Sequence, residues 1–192
     1  NKNLDKLQRK SKQSIQTHQP DDLQNQIHGL ISIYRSGDML KTEKSCKNLL
    51  QKYPQSFVVI NILGASLQRQ GKLKESIENY SLAIKINPNY PDTFNNRGTV
   101  YMELKHFEES IHDYKNAIKI HPNYVEAYNN LGSSLRKLNR HNEALDNYNR
   151  AITINPNYAE AYSNRSSVLI DLGEYQQAID SCKQAIDIEP NL

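Results

Sequence analysis

The sequence predicts an all-α fold in which pairs of helices repeat along the chain and stack as a solenoid. The first observation is a spacing of 34 residues between prolines, which recurs without an insertion. The second is that each interval holds two stretches with apolar residues at helical spacing, and the third is a recurrent Gly or Asn between them. A fixed period of this length is typical of repeat proteins. The prolines are Pro20, Pro54, Pro88, Pro122, Pro156 and Pro190.

The first helix of a period is clearest in residues 125–158. Tyr128, Leu131 and Leu135 recur three and four residues apart, which places them on one face of a helix. Asn139 then interrupts the pattern. The equivalent positions in the other periods are Gly37, Gly71, Lys105 and Gly173. Because Gly and Asn tolerate the left-handed conformation that commonly ends a helix, we expect a tight turn at this position.

The second helix of the same period carries Leu145, Tyr148 and Ile152 on one face. It is expected to stop before Pro156, because the residue that precedes a proline is disfavoured in the helical region. Each period is therefore predicted to be a helix, a turn, a second helix and a proline loop. The predicted array of five repeats occupies residues 21–192, with periods at 23–56 (degenerate), 57–90, 91–124, 125–158 and 159–192.

Small residues predict how the two helices of a period meet. Gly64, Gly98 and Gly132 lie within first helices. A helical Gly costs about 0.8–1 kcal/mol relative to Ala, so close packing should offset it. We expect these glycines to face the small residues of the second helix. Those residues are Thr42, Ser76, Ser110, Ala144 and Ala178.

Charge is distributed unevenly along the chain. The net charge is +3, and residues 1–19 alone carry five basic residues and one acidic residue, which leaves residues 20–192 close to neutral. A nucleic-acid footprint would be a basic face of the folded part, so no nucleic-acid partner is expected. Residues 1–20 are either a polar basic segment or a degenerate half-repeat. No apolar run approaches the roughly 20 residues that cross a bilayer, so we expect no membrane insertion. The two cysteines, which are expected to be unpaired, favour a cytoplasmic location.

The residues that could carry chemistry are scattered. His106 and His112 are six residues apart, a spacing that does not place two ligands on one helix face. Neither a phosphate-binding glycine loop nor a paired-cysteine motif is present. Cys46 and Cys182 occupy equivalent positions in different periods, and we expect both to be buried and unpaired. The sequence therefore predicts no enzyme, no metal site and no cofactor.

The stretch AYNNLGSSL…EALDNYNRAITINPNY resembles the tetratricopeptide repeat (TPR), whose pattern has an aromatic residue, Leu-Gly, Tyr, a small residue, an aromatic residue, Ala and Pro in this order and period. The resemblance is strong over residues 57–192 and weak over 23–56. It extends to bacterial TPR arrays such as those N-terminal to glycosyltransferases of the O-linked N-acetylglucosamine transferase type. It implies a right-handed superhelix whose concave groove, lined by the first helices, binds a partner protein or an extended peptide.

Arg97 and Arg165 depart from this pattern, because they stand where the family has Leu. We expect their aliphatic stems to pack while the guanidinium groups reach water.

Asparagines are the candidate binding residues of the groove. They fill two neighbouring positions of the first helices, and they are Asn61, Asn95 and Asn129 at one position and Asn96, Asn130 and Asn164 at the next. Asn is a poor residue for a helix interior, and its amide offers both donors and an acceptor. We hypothesise a ladder that grips the backbone of a peptide, with Arg69 and Arg136 as additional contacts. The alternative is that these are solvated positions copied by duplication of one repeat.

Two functions are compatible with these residues. The first is a non-catalytic scaffold that binds a peptide or partner protein, and the alternative is the substrate-recognition arm of a larger glycosyltransferase or sulfotransferase. An acidic ligand tail is disfavoured, because Asp92, Glu126 and Glu160 lie one turn before the asparagines.

Apolar residues on the final helix predict a further property. Ile179, Ile186 and Ile188 would expose apolar surface there, which predicts weak self-association through the last repeat.

Overall fold

The computed structural model describes residues 21–191, and the polar segment or half-repeat predicted at residues 1–20 lies outside them. The described residues form ten α-helices and no strands, two helices in each predicted period. They are α1 Asp21–Arg35, α2 Met39–Lys52, α3 Phe57–Arg69, α4 Leu73–Ile86, α5 Pro91–Glu103, α6 Phe107–Ile120, α7 Val125–Lys137, α8 His141–Ile154, α9 Ala159–Asp171 and α10 Tyr175–Ile188. The helices fall into two compact units, α1–α4 up to Ile86 and α5–α10 from Asn87 onward.

The turn within each helix pair has the backbone that the sequence predicts. All five turn positions have a positive φ, from 57° at Asn139 to 86° at Gly37. Beyond Asn139, the backbone N–H of Arg140 donates to the carbonyl of Leu135 across 3.0 Å, which satisfies a carbonyl at the end of α7. Lys105 adopts the same conformation at 61°, so the turn is kept even where a bulky residue occupies it.

The proline loops after α4 and α8 are asparagine-stabilised turns. Asn155 caps α8 with its N–H on the carbonyl of Ala151 at 2.9 Å, and its side-chain oxygen accepts from the N–H of Asn157 at 3.1 Å. Asn87 and Asn89 repeat this local bond at 3.2 Å. The turn and the proline together explain why the loop sequence recurs.

Each unit has its own apolar core between helices of consecutive periods. The core of α1–α4 consists of Leu23, Ile27, Leu30, Ile31, Cys46, Val58, Val59, Ile62, Leu63 and Leu67. The core of α5–α10 includes Ile111, Tyr114, Leu131, Leu135, Ala144, Tyr148 and Val168. Fully burying one large apolar side chain stabilises a fold by about 1.5–3 kcal/mol, so a few such residues per period suffice to hold one helix pair on the next.

The packing predicted around the helical glycines is wrong in one respect. A Cβ added to Gly98 would lie 2.7 Å from Cε1 of Tyr114, and one added to Gly132 would lie 2.7 Å from Cε1 of Tyr148. The glycines therefore make room for the tyrosine ring of their own period. The small residues do approach the glycine backbone, since Oγ of Ser76 donates to the carbonyl of Gly64 at 2.8 Å.

The two cysteines differ in environment. Cys46 is buried as predicted, but Cys182 is exposed, so that expectation is wrong. Cys182 lies on α10 beside Ile179 and Ile186, which are 49% and 57% exposed. No described helix covers this face of α10, whereas Cys46 is enclosed by the α1–α4 core.

Candidate functional site

The first helices α5, α7 and α9 carry the asparagines at two depths. Asn95 and Asn129, which we call inner asparagines, are 2% and 0% exposed, whereas the outer asparagines Asn96, Asn130 and Asn164 are half-buried. Consecutive residues of a helix point about 100° apart, which separates the two sets. In the α1–α4 unit, Asn61 is also buried, at 5% exposed.

Hydrogen bonds link the two sets from one period to the next. Nδ2 of Asn130 donates to Oδ1 of Asn95 at 3.1 Å, and Nδ2 of Asn164 donates to Oδ1 of Asn129 at 2.9 Å. Asn130 and Asn164 therefore each bind the inner asparagine of the preceding first helix. A buried amide is stable only when it is hydrogen-bonded, so these bonds explain how asparagine is tolerated inside the stack.

The outer amides keep hydrogen-bonding capacity after these contacts. An asparagine amide has two N–H donors and an oxygen acceptor. Asn130 and Asn164 each use one N–H on an inner asparagine, and residues 21–191 provide no further hydrogen bond for either side chain. Each amide is thus held in place while its oxygen and second N–H stay available to a ligand.

A carboxylate is joined to this network. Oε1 of Glu160 accepts from Nδ2 of Asn129 at 3.0 Å, and Oε2 accepts from the hydroxyl of Tyr158 at 2.8 Å. Burial and then the charge of Glu160 raise the pKa of Tyr158, so the phenol stays protonated and donating. Burial and then the nearby Asp92 raise the pKa of Tyr124 in the same way. The asparagines are therefore flanked by negative charge.

Each of the two predicted arginines contacts a residue other than the asparagines. Arg69 is exposed and lies over the ring of Tyr34, with 5.2 Å from the guanidinium carbon to the ring centre. Nε of Arg136 pairs with Oδ2 of Asp171 at 2.6 Å, and the hydrogen bond with Asp171 raises the pKa of the guanidinium. Arg136 and Asp171 line a cavity of about 450 Å³ that His141 also borders.

The prediction for Arg97 is wrong. Its side chain is only 16% exposed, and its guanidinium forms two bonds with Asp113, from Nε to Oδ2 and from Nη2 to Oδ1, both 2.7 Å. The side chain of Asp113 is 1% exposed. Burial opposes the charge of Arg97, but the hydrogen bond and charge of Asp113 outweigh it and raise the pKa. Sequence reasoning missed this pair because its two residues are 16 positions apart, on different helices.

The part of the chain that the structure describes, residues 21–191, holds neither a membrane-spanning helix nor a metal-binding cluster. No helix in this range is both long and apolar enough to cross a membrane. Nor does any group of three His, Cys, Asp or Glu side chains in this range have the arrangement of a metal site.

Family models match most of the array. Models described as Tetratricopeptide repeat match residues 125–158 and 159–192, and a model described as TPR repeat matches 64–105 and 100–138. Together the matches run from residue 64 to the end, more than half of the chain. No curated protein sequence matches the chain.

Solved structures share the fold. A crystal structure of MamA is 20% identical, with a TM-score of 0.76 over 84% of this chain and 94% of that one. PilF of Pseudomonas aeruginosa is 18% identical, with a TM-score of 0.79 over 85% and 75%. YrrB, named as a TPR protein with an unusual peptide-binding site, is 19% identical, with a TM-score of 0.70 over 86% of each chain. The helical solenoid predicted from the sequence is confirmed as the fold class.

Proposed function

Since the chain belongs to the tetratricopeptide repeat family, we propose that it is a non-catalytic scaffold whose outer asparagines bind the backbone of an extended peptide. The observation that carries the proposal is the state of Asn130 and Asn164. Each is half-exposed, oriented by one bond to an inner asparagine, and left with one donor and one acceptor.

The pairing of donor and acceptor suits a peptide backbone. A backbone offers one N–H and one C=O per residue, and an amide side chain can bind both. Because Asn96, Asn130 and Asn164 recur at 34-residue intervals on successive first helices, a bound strand would meet the same chemistry repeatedly. Asn95 and Asn129 serve as supports, since their buried oxygens accept from Asn130 and Asn164.

The charge near the asparagines indicates what side chains the peptide carries. Glu160 is exposed and Glu126 is half-buried, and both lie in the first turn of their helices. Like charges across an interface cost affinity, so an acidic segment is disfavoured. We propose a ligand with neutral polar or basic side chains. YrrB supports the general role, since it has the same fold and is named for a peptide-binding site.

The test is a selection from a displayed library of random, unstructured peptides against the full chain, followed by affinity measurements on the selected sequences. The variant replaces all three outer asparagines: Asn96→Ala, Asn130→Ala and Asn164→Ala. A net hydrogen bond is worth about 0.5–1.5 kcal/mol, and each replacement removes at least one bond to the peptide, so the variant should weaken binding by at least roughly tenfold.

A matched control exists in the proline loops. Asn89, Asn123 and Asn157 are also spaced by 34 residues, and all three are exposed. Replacing these three by Ala should leave the affinity within about twofold, since exposed substitutions have small effects. Equal affinities for the wild type and the outer variant, with both folded by circular dichroism, would contradict the proposal.

A further inference from the structure

Two periods of the α5–α10 unit place an arginine at the same position but surround it differently. In period 91–124, Arg97 of α5 is paired bidentately with Asp113 of α6. In period 159–192, Arg165 of α9 stands at the equivalent position, and Ser181 of α10 stands where Asp113 would be. A fork of two parallel bonds to a carboxylate is the strongest arrangement that arginine makes, and Arg165 lacks it within its own period.

The partners of Arg165 are neutral. Its Nε donates to Oγ of Ser181 at 3.1 Å, and its Nη1 donates to Oδ1 of Asn149 at 3.0 Å. The guanidinium also lies over the ring of Tyr162, 5.1 Å from its centre. No carboxylate among residues 21–191 forms an ion pair with Arg165. Arginine has five N–H donors, so Nη2 and the second N–H of Nη1 remain as an unused fork.

Arg165 borders a cavity of about 230 Å³ where α8, α9 and α10 meet. Asn149, Gln177 and Ser181 supply polar atoms to its wall, and Leu145 and Leu169 supply apolar surface. Asp180 also lines it, but that side chain is 63% exposed and lies 4.0 Å from Lys183. Burial lowers the pKa of Arg165, because a cation removed from water without a counter-charge is disfavoured.

We propose that this cavity binds a carboxylate group from outside the chain. The external carboxylate would pair with Arg165 as the carboxylate of Asp113 pairs with Arg97. The site lies on α8, α9 and α10 and uses none of the outer asparagines, so it goes beyond the function proposed above. The carboxylate comes from an acidic side chain or chain end of a partner protein or from a small free acid, and both sources share the same recognition chemistry.

The variants that test this site copy residues found at the equivalent positions of other periods. Ser181→Asp gives Arg165 the partner that Arg97 has, and it should fill the site from within. Arg165→Leu copies Leu131 of period 125–158 and removes the cation. Asp113→Ser does the reverse and should expose Arg97 to external carboxylates.

The measurement is NMR of the arginine Nε–H signals in the full chain during titration with sodium acetate, with sodium chloride at equal ionic strength as the reference. A single carboxylate binds weakly, with a dissociation constant of roughly tens of millimolar. In the wild type, the Arg165 signal should shift and saturate while the Arg97 signal does not. In Ser181→Asp the shift should disappear, and in Asp113→Ser the Arg97 signal should become saturable.

Further arms distinguish the source and the chemistry of the ligand. A blocked aspartyl peptide that binds at least about tenfold tighter than acetate indicates a protein ligand, and equal affinity indicates a free acid. Acetate should also raise the melting temperature of the wild type over chloride, and this difference should vanish in Arg165→Leu, which carries no Arg165 signal. The proposal is overturned if the wild-type signal follows chloride, if Ser181→Asp shifts equally, or if only phosphate produces a saturable shift.

Discussion

The helix pairs α5–α6 and α9–α10 have the same lengths and the same left-handed turn, yet different residues face each other inside them. In α5–α6, Arg97 meets Asp113 and Gly98 meets Tyr114. In α9–α10, Ser181 faces Arg165, and the positions of Gly98 and Tyr114 hold Ser166 and Cys182. The Gly–Tyr contact is replaced at both of its positions, whereas the arginine is kept and only its partner changes. The periodic residues therefore maintain the fold, while the contacts inside a helix pair differ from one period to another.

The largest expected effect comes from breaking the buried ion pair. Asp113→Ala leaves the charge of Arg97 without its carboxylate, which should lower the free energy of unfolding by about 3 kcal/mol. Ser181→Ala removes one bond to Arg165 from a neutral partner, and the loss should be about 1 kcal/mol. Urea denaturation of both variants measures the difference.

A double variant separates the lost pair from a general packing defect. Arg97→Leu with Asp113→Asn copies Leu131 and Asn147 of the next period, so it should recover more than half of the loss. Equal destabilisation by the single and the double variant would show that the charge of Arg97 is not what the pairing stabilises.

Overpacking a glycine is the second largest effect. Gly98→Leu places a side chain against a tyrosine ring only 2.7 Å from the new Cβ, which should cost about 1–3 kcal/mol. Ser166→Leu introduces the same side chain opposite Cys182 and should cost less, because Leu30 and Cys46 already occupy these positions in period 23–56. Thermal unfolding of Gly98→Leu and Ser166→Leu measures the two losses of stability. A larger loss for Ser166→Leu would contradict the prediction that the tyrosine ring makes the glycine position the tighter one.

The inner asparagine gives a smaller effect. Asn129→Ala removes the acceptor of Asn164 and the donor to Glu160, and the expected loss is about 1–2 kcal/mol. Ser163 stands at the equivalent position of the last period and is half-buried, so Ser163→Ala should cost less than about 0.5 kcal/mol. Denaturant midpoints of the two variants measure this difference. Similar losses of stability in Asn129→Ala and Ser163→Ala would contradict the prediction.

Thiol labelling compares the equivalent positions Cys46 and Cys182 without a change of sequence. Burial and then the charge of Glu43 raise the pKa of Cys46 to about 12, whereas Cys182 is exposed. Since the thiolate is the reactive form, Cys46 should react at least about a thousandfold more slowly with a thiol reagent near neutral pH. Both cysteines should react alike once the protein is unfolded. Comparable rates in the folded protein would show that Cys46 is not enclosed.

The sequence predicts the helices well because proline and left-handed turn positions are local signals. Lys105 does not favour a left-handed turn, but the 34-residue period predicts a turn at this position, and the structure has one there. The partner of Arg97 could not be found this way, because Asp113 reaches it only when two helices pack. The depth of the asparagines was equally inaccessible, since Asn95 and Asn96 are neighbours in sequence and only the packing of adjacent first helices buries one of them.

In the proposed function, the half-buried outer asparagines of successive first helices bind a peptide, and buried inner asparagines support them. NMR of the side-chain NH₂ signals during titration with a selected peptide tests it directly. The signals of Asn96, Asn130 and Asn164 should shift with a common saturation, and those of Asn89, Asn123 and Asn157 should stay in place. Two results would contradict this proposal. One is that only the signals of the loop asparagines shift, and the other is that neither set of signals shifts although the peptide is fully bound.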